Sequence, residues 1–337
     1  MNRIVALSIV GLGGAAAHAQ QPGSLDIYWI DVEGGAATLI VTPDRESVLM
    51  DAGWETEDDR DANRIVAAMQ DAGIAAIDYF IASHFHGDHV SGLPALARQV
   101  SIGQFIDHGD SVEQDRERSR PPWEAYRATA GAKRRSVAPG DTLSLSGVEF
   151  MFVTSNRAVL DHALAHPRPN AYCQEASPGE ELTGENASSV GYLLSLGEFE
   201  FLDLGDLTVN NQHRLACPEN LLGVVDLFQV PHHGNGVAPQ LTWALAPTVA
   251  VLNNGPHKGG SPEGFEATST IPGIQAIWQI HRALDTDEAH NASAEMTANL
   301  SEANDAGYWI KASVPADGSS YTVENGRNGY RQTYAMK

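Results

Sequence analysis

Short runs of apolar residues recur along the chain, and polar segments rich in glycine and proline separate them. Apolar runs of strand length that are bounded by turn residues are typical of buried β-strands. The pattern therefore predicts a protein built mainly from strands and turns. The predicted strands cover residues 25–32, 37–41, 47–51, 77–82, 102–106, 142–153, 190–196, 198–204, 224–230, 248–252, 276–280, 308–314 and 320–323.

Helical spacing of apolar residues is clearest in one segment, residues 59–72. Ile65, Val66 and Met69 fall on one helical face there, and Gly73 follows as a C-terminal stop signal. We therefore predict a helix between the third and fourth strands.

Two polar stretches interrupt the strand pattern, at residues 108–137 and 155–187. We interpret both as insertions, the first carrying a helix over 123–130. The strands then fall into two groups with helices between them, which fits two sheets packed face to face with helices outside. We expect an α+β protein, a four-layer αββα sandwich, with residues 20–337 forming a single catalytic domain.

The first nineteen residues have the three-part pattern of a secretory signal peptide. Arg3 gives a positive start, residues 4–13 are apolar, and Ala17-His18-Ala19 is a small-x-small cleavage site. A membrane anchor is the alternative, but the apolar run is short for a bilayer. We expect residues 1–19 to be removed on export to the periplasm or the exterior, leaving no membrane segment.

Charge narrows the range of partners. The formal net charge is −22, which repels nucleic acid and anionic membranes, so no nucleic-acid partner is expected. A small anionic substrate stays open, because bound metal ions can reverse the sign locally. Nothing in the pattern indicates an oligomeric state.

The two cysteines, Cys173 and Cys217, form neither a Cys-x-x-Cys pair nor a zinc knuckle. In an oxidising compartment they could form one disulfide, and the alternative is two buried thiols. The sequence slightly favours the disulfide.

The strongest chemical signal is His84-Phe85-His86-Gly87-Asp88-His89, directly after a predicted buried strand. Three imidazoles and a carboxylate cannot all enter an apolar core without a large desolvation cost. On an irregular loop, His84 and His86 can reach one metal ion while Asp88 and His89 turn toward a second. Imidazole and carboxylate are ligands that zinc accepts. A surface loop that happens to hold histidines is the less favoured alternative.

Further candidate ligands follow two later apolar strands. Asp206 comes after Gly205, and its two oxygens could bridge two ions. His232 follows the strand predicted at 224–230 and could complete the second site with Asp88 and His89. Because three strand ends would present ligands at one edge of the sandwich, the set is a stronger signal than any member alone.

These motifs resemble the metallo-β-lactamase superfamily, whose His-x-His-x-Asp-His signature is met in full by residues 84–89. More narrowly, the chain resembles the branch that contains the soluble domain of DNA-uptake competence proteins. The shared segments are 31–36, 49–51, 205–206 and 232–234. Within that branch it looks most like stand-alone exported hydrolases. The resemblance implies the αββα fold and a two-metal hydrolytic site.

The chain departs from the superfamily pattern at the third ligand of the first metal, where members typically carry another histidine. His162 and His166 lie in the right interval, and Asn186 sits where the competence-like branch has an asparagine. His233 and His281 are further candidates for a ligand or a pocket residue, the latter because it follows a strand at the same kind of edge.

The resulting hypothesis is a metal-dependent hydrolase with two Zn²⁺ ions, Mn²⁺ or Fe being alternatives. A metal-bound hydroxide, hydrogen-bonded to the catalytic Asp88, would attack a small ester or phosphodiester. Lactonase or β-lactamase activity would suit the same site. A non-catalytic metal-binding module on the same fold is the rival from another class.

Overall fold

The computed structural model describes residues 23–164, 169–175, 183–302 and 306–337. The predicted signal peptide, residues 1–19, lies outside the described residues. In the part of the chain that is described, no helix has both the length and the apolar character needed to cross a membrane.

Strands make up most of the regular structure. In chain order they are β1 (Leu25–Trp29), β2 (Thr38–Val41), β3 (Ser47–Met50), β4 (Ala76–Ile81), β5 (Ser101–Asp107), β6 (Arg134–Ser136), β7 (Glu149–Ser155), β8 (Ala158–Val159), β9 (Gly191–Leu196), β10 (Phe199–Asp203), β11 (Leu227–Gln229), β12 (Val249–Leu252), β13 (Ala276–His281), β14 (Thr297–Asn299), β15 (Ile310–Val314), β16 (Ser320–Asn325) and β17 (Arg331–Ala335).

The helices are short and lie between strands. The α-helices are α1 (Arg60–Asp71), α2 (Gly87–Val90), α3 (Leu93–Gln99), α4 (Arg120–Ala130), α5 (Val209–Ala216), α6 (Pro239–Leu245) and α7 (Pro262–Ser269). The 3₁₀ turns are Gly131–Lys133, Ala171–Glu175, Asn186–Ser188, His232–Gly234 and Glu288–His290.

The described strands form two sheets. One has the order β17-β16-β15-β1-β2-β3-β4-β5-β6, and the other has the order β14-β13-β12-β11-β10-β9-β7-β8. Helices α1, α3 and α4 pack on the outer face of the first sheet, and α5 and α6 pack on the outer face of the second. The predicted four-layer αββα sandwich is confirmed.

The apolar runs are continuous because both faces of these strands are covered. In β12, Val249 and Val251 point into the core between the two sheets, whereas Ala250 and Leu252 point toward the outer helices. Successive side chains of a strand alternate between its faces, so a strand covered on both sides is apolar throughout.

Several element boundaries differ from the prediction. The strand predicted at 224–230 is regular only at β11, and the first half of 142–153 makes only the isolated bridge between Thr142 and Met151. Strand β17 was not predicted, because only Tyr334 of its residues is buried and the strand lacks an apolar run. Helix α5 was missed because its sequence is mostly polar.

The first insertion packs directly on the metal-ligand motif. Helix α4 places Trp123 and Tyr126 against Phe85, with ring centroids 4.5 and 4.9 Å apart. Phe85, between His84 and His86 in the sequence, is fully buried. The insertion therefore fixes the loop on which His84 and His86 lie.

A disulfide joins Cys173 to Cys217, with the two Cα atoms 5.7 Å apart. It ties the second insertion to the end of α5 and closes a loop across a sequence separation of 44 residues. The sequence had slightly favoured this bond over two buried thiols.

Loss of this disulfide is expected to lower the free energy of unfolding by about 2–4 kcal/mol, because the reduced unfolded chain regains loop entropy. Calorimetry with and without reductant measures the effect as a fall in Tm. The double variant Cys173→Ser and Cys217→Ser should have the Tm of the reduced wild type, and reductant should not change it. A wild-type Tm that reductant leaves unchanged would contradict the prediction.

Candidate metal centre

The centre lies where several parallel strands end. Asp51 follows β3, His84 follows β4, Asp206 follows β10, and His232 and His233 follow β11. Strands β3 and β4 are parallel neighbours, as are β10 and β11. Because carboxyl ends of parallel strands meet at one edge of a sheet, side chains remote in sequence come together there.

The motif splits into two directions at a short helix. His86 has extended backbone, and α2 then turns Asp88 and His89 back toward the sheet edge. Gly35 in the β1–β2 turn makes this possible. A Cβ there would lie 2.3 Å from the carbonyl oxygen of Asp88, so only glycine lets the two backbones approach.

The first half-site consists of His84, His86, His232 and Asp206. The Nε2 atom of His84 and the Nδ1 atom of His86 are 3.0 Å apart and face the same space. The Oδ2 atom of Asp206 lies 3.9 Å from His84 Nε2 and 3.8 Å from His232 Nε2. His84, His86 and Asp206 could therefore share a cation, and His232 could join it through Nε2, which lies 3.8 Å from the same Asp206 oxygen.

The second half-site consists of Asp88, His89, Asp206 and His233, whose ligand atoms all lie within 4.8 Å of one another. The Oδ2 atom of Asp88 is 3.3 Å from Nε2 of both His89 and His233. All four residues are buried. Asp206 belongs to both half-sites and is the residue placed to bridge them.

The predicted ligands are therefore brought together, but His232 and His233 differ from the prediction. His233 occupies the place in the second half-site that the sequence analysis gave to His232. His232 instead faces the first half-site, where its Nε2 atom is 3.1 Å from the side-chain nitrogen of Asn186. His232 and Asn186 thus stand where the third ligand of the first metal was sought.

Other candidates for that role lie elsewhere. His162 is 70% exposed and its ring contacts Asp161, because it follows the short edge strand β8. His281 is buried, and its Nδ1 atom lies 3.0 Å from the carbonyl oxygen of Arg282. His166 lies outside the described residues.

The far sides of the ligand rings are held by hydrogen bonds. The Nδ1 atom of His89 lies 2.7 Å from Oδ2 of Asp51, and Nδ1 of His233 lies 2.9 Å from the carbonyl oxygen of Asn253. Each bond fixes a tautomer and points Nε2 at the centre, as is usual for metal-binding histidines. Asp51 ends the strand predicted at 47–51, and no role was predicted for it from the sequence.

The electrostatics match a centre that needs cations. Burial alone raises the pKa of Asp206, but His233 and His89 outweigh it and hold that pKa well below its usual range. Burial lowers the pKa of His84, and neighbouring His89 and His86 lower it further. His84 is therefore neutral and can donate a lone pair, and Asp206 is ionised.

Replacing Asp51 with asparagine is expected to weaken divalent metal binding by about 10–100-fold, because the amide cannot hold the His89 ring as the carboxylate does. Competition with a chromophoric chelator measures the dissociation constants. Asp44→Asn, the same change at an exposed residue, is the control. Equal affinities in wild type and Asp51→Asn would contradict this role.

Two adjoining clefts give access to the centre. One of about 600 Å³ is lined by Asp88, Asp206 and Lys258 together with Trp54 and Arg118. The other, of about 560 Å³, is lined mainly by residues 183–187 and 208–209. His86, Asn186 and His232 line both clefts, so the first half-site faces the space where a substrate can enter.

Lys258 was not anticipated from the sequence. It lies in the loop after β12, and its Nζ atom contacts the carboxylate of Asp88. The signal that could have found it is a lone cation in a glycine-rich loop at the carboxyl end of a strand.

Sequence comparison finds a matching family profile and a similar protein. Residues 30–155 match the profile of the family described as "Metallo-beta-lactamase superfamily". A metal-dependent hydrolase of Cupriavidus necator is 26% identical over 265 residues, which cover 74% of this chain and 81% of that protein.

Solved structures resemble the chain at lower identity. A metallo-β-lactamase from Cronobacter sakazakii is 18% identical, with a TM-score of 0.39 over 61% of this chain and 76% of that one. The metallo-β-lactamase fold protein YhfI from Bacillus subtilis is 13% identical, with a TM-score of 0.46 over 76% of this chain and 96% of that one.

Proposed function

We propose that the chain is a member of the metallo-β-lactamase superfamily and acts as a two-zinc hydrolase of a small ester or phosphodiester. The observation that carries the proposal is the pair of half-sites that share Asp206. Each half-site supplies imidazole nitrogens and carboxylate oxygens, from buried residues in the second and from both buried and half-buried residues in the first.

The residues present fit metal ions. The Nε2 atom of His89 is buried, and among the described residues it has no hydrogen-bond partner, although Asp88 and Asp206 oxygens lie 3.3 Å away. A buried polar atom without a partner calls for an unseen ligand or ion. Imidazole and carboxylate together favour zinc, and Mn²⁺ or Fe suit the same donors.

The bound ions would act as Lewis acids and would lower the pKa of water toward about 7. The protein's own task is to place groups around them. Asp88, on the floor of the cleft, is positioned to accept the proton of the attacking water and later to return it to the leaving group. Asp51 and Asn253 keep the His89 and His233 rings aimed inward.

The position of Asn186 supports assignment to the competence-protein-like branch, because its amide reaches the His232 ring beside the first half-site. The formal charge of −22 argues against long nucleic acid as the substrate. A small ester or phosphodiester suits clefts of this size.

We also propose that the protein is exported and acts in the periplasm or outside the cell. The pattern of residues 1–19 supports this, as does the disulfide between Cys173 and Cys217. Structural disulfides persist in oxidising compartments and are rare in the cytosol.

A panel of chromogenic esters, phosphodiesters, lactones and β-lactams, assayed with the zinc-reconstituted protein, tests the proposal. We expect turnover of an ester or phosphodiester, and turnover that requires metal. Preference for a lactone or β-lactam would show that the proposed substrate class is wrong but that the protein is a hydrolase. Tight zinc binding without turnover of any class would favour the non-catalytic module.

A further inference from the structure

An ammonium group lies inside the second half-site. The Nζ atom of Lys258 contacts the carboxylate of Asp88, donates to the carbonyl oxygen of Gly34 at 2.7 Å and lies 3.2 Å from Nε2 of His233. Asp88 and His233 are two of the four ligands of that half-site. Lys258 therefore occupies part of the space that a second metal ion needs.

The backbone of Lys258 is held close to the centre. The carbonyl oxygen of Lys258 accepts from the amide of Gly255 at 2.8 Å, and the amide of Gly260 donates to the carbonyl of His233 at 2.7 Å. A Cβ on Gly34 would lie 2.8 Å from the Cβ of Lys258, so the two loops are in close contact. The loop therefore keeps the lysine beside the half-site.

The side chain, in contrast, has room to leave. It is 36% exposed, lines the cleft of about 600 Å³ and passes over the Trp54 ring with Nζ 5.2 Å from the centroid. Four methylene groups allow the ammonium to swing from Asp88 into the cleft while the backbone stays in place.

We propose that Lys258 is a built-in cation that competes with the second metal ion for Asp88 and His233. The inference rests on the proposed function, because it presumes a two-metal centre. Without metal, the ammonium neutralises Asp88, and an unpaired buried carboxylate would be costly. With metal, the ion needs the Oδ2 atom of Asp88 that the ammonium contacts, and repulsion between two cations at that distance favours displacement of the lysine.

The competition makes the second half-site the weaker of the two. Apparent affinity falls by the fraction of molecules in which the site is open. If the lysine is in place in about nine molecules of ten, its removal strengthens binding about tenfold. The first half-site should change less, because the hydrogen bonds of Lys258 among the described residues go to Gly34, Asp88 and His233.

The test is a zinc titration of the chelator-stripped protein against a competing chromophoric chelator, for wild type, Lys258→Met and Lys258→Gln. Thermal unfolding of the same stripped proteins is the second readout. Lys133→Met is the control, because Lys133 also donates to a backbone carbonyl and is exposed.

We expect both neutral variants to bind the second zinc at least about tenfold more tightly than wild type. The stripped variants should also unfold at a lower temperature, since Asp88 loses its cation. If Lys258 served only the fold, its replacement would lower both the stability and the metal affinity. Lys133→Met should leave zinc binding as in wild type.

Second-zinc affinity that is unchanged or weakened in both folded variants would overturn the inference and leave the two-zinc hydrolase standing. If Lys258→Met does not fold, Lys258→Gln decides the test, because its amide can still donate to Gly34. A wild-type protein that takes up no zinc would instead overturn the proposed function itself.

Discussion

Replacing Asp88 with asparagine is expected to lower turnover by at least about 100-fold while the protein keeps its fold. The substitution preserves side-chain volume, and Asp88 lies at the cleft floor rather than in the apolar core. It removes both a ligand of the second half-site and the group positioned to carry the proton. The measurement is kcat on the best substrate of the panel, at matched metal content.

A matched control for Asp88→Asn is Asp59→Asn. Asp59 is a half-buried acid that pairs with Arg98, is not one of the ligands, and has a left-handed backbone with φ of 54°. Asparagine tolerates that conformation well, so fold and turnover should match wild type. Wild-type turnover in Asp88→Asn at equal metal content would contradict the assigned role.

Removal of metal is expected to abolish turnover and to destabilise the protein at the same time. An ion present at 100 to 1,000 times its dissociation constant stabilises the native state by about 2.7–4.1 kcal/mol. For a chain of this size, we expect Tm to fall by several degrees on chelation. Calorimetry and activity measured before stripping, after stripping and after zinc addition provide the comparison.

The destabilisation follows from the buried charges of the centre. Asp88 and Asp206 are both held ionised by their histidine neighbours, and they lose the strongest cations available when metal leaves. Restored zinc should restore both Tm and activity. Turnover that persists in protein shown by elemental analysis to be free of metal would contradict a metal-dependent mechanism.

The location of the centre could be predicted because its ligands come directly after apolar strands. Strand β4 runs into His84, and β10 ends three residues before Asp206, so both positions follow from the hydrophobic pattern alone. The alternation within strands also gives the layers of the sandwich. Both features depend on residues that are close together in the chain, so the hydrophobic pattern shows them.

The assignment of His232 and His233 to different half-sites could not be predicted. Both residues have left-handed backbone, with φ of 53° and 55°, which sends neighbouring rings in directions that a regular strand would not. Positive φ is uncommon outside glycine, and nothing in the letters of the sequence marks it at these histidines. Their side chains could only be sorted by the fold.

The sequence did not predict the contact of Lys258 and only slightly favoured the disulfide, for a different reason. Lys258 and Asp88 are separated by 170 residues, and Cys173 and Cys217 by 44. Neither contact leaves a periodic or spaced pattern. They become visible only when the loops at the strand ends are placed in space.

The ring of Phe85 links the metal-ligand motif to α4, two segments that are distant in the sequence. Trp123 and Tyr126 of α4 cover it, so a relative that shortened this insertion would expose a large apolar side chain between two metal ligands. We expect relatives without α4 to carry a smaller or polar residue at position 85. Substitutions at the two places should therefore appear together across an alignment of relatives, which makes position 85 an indicator of whether the buttressing helix is present.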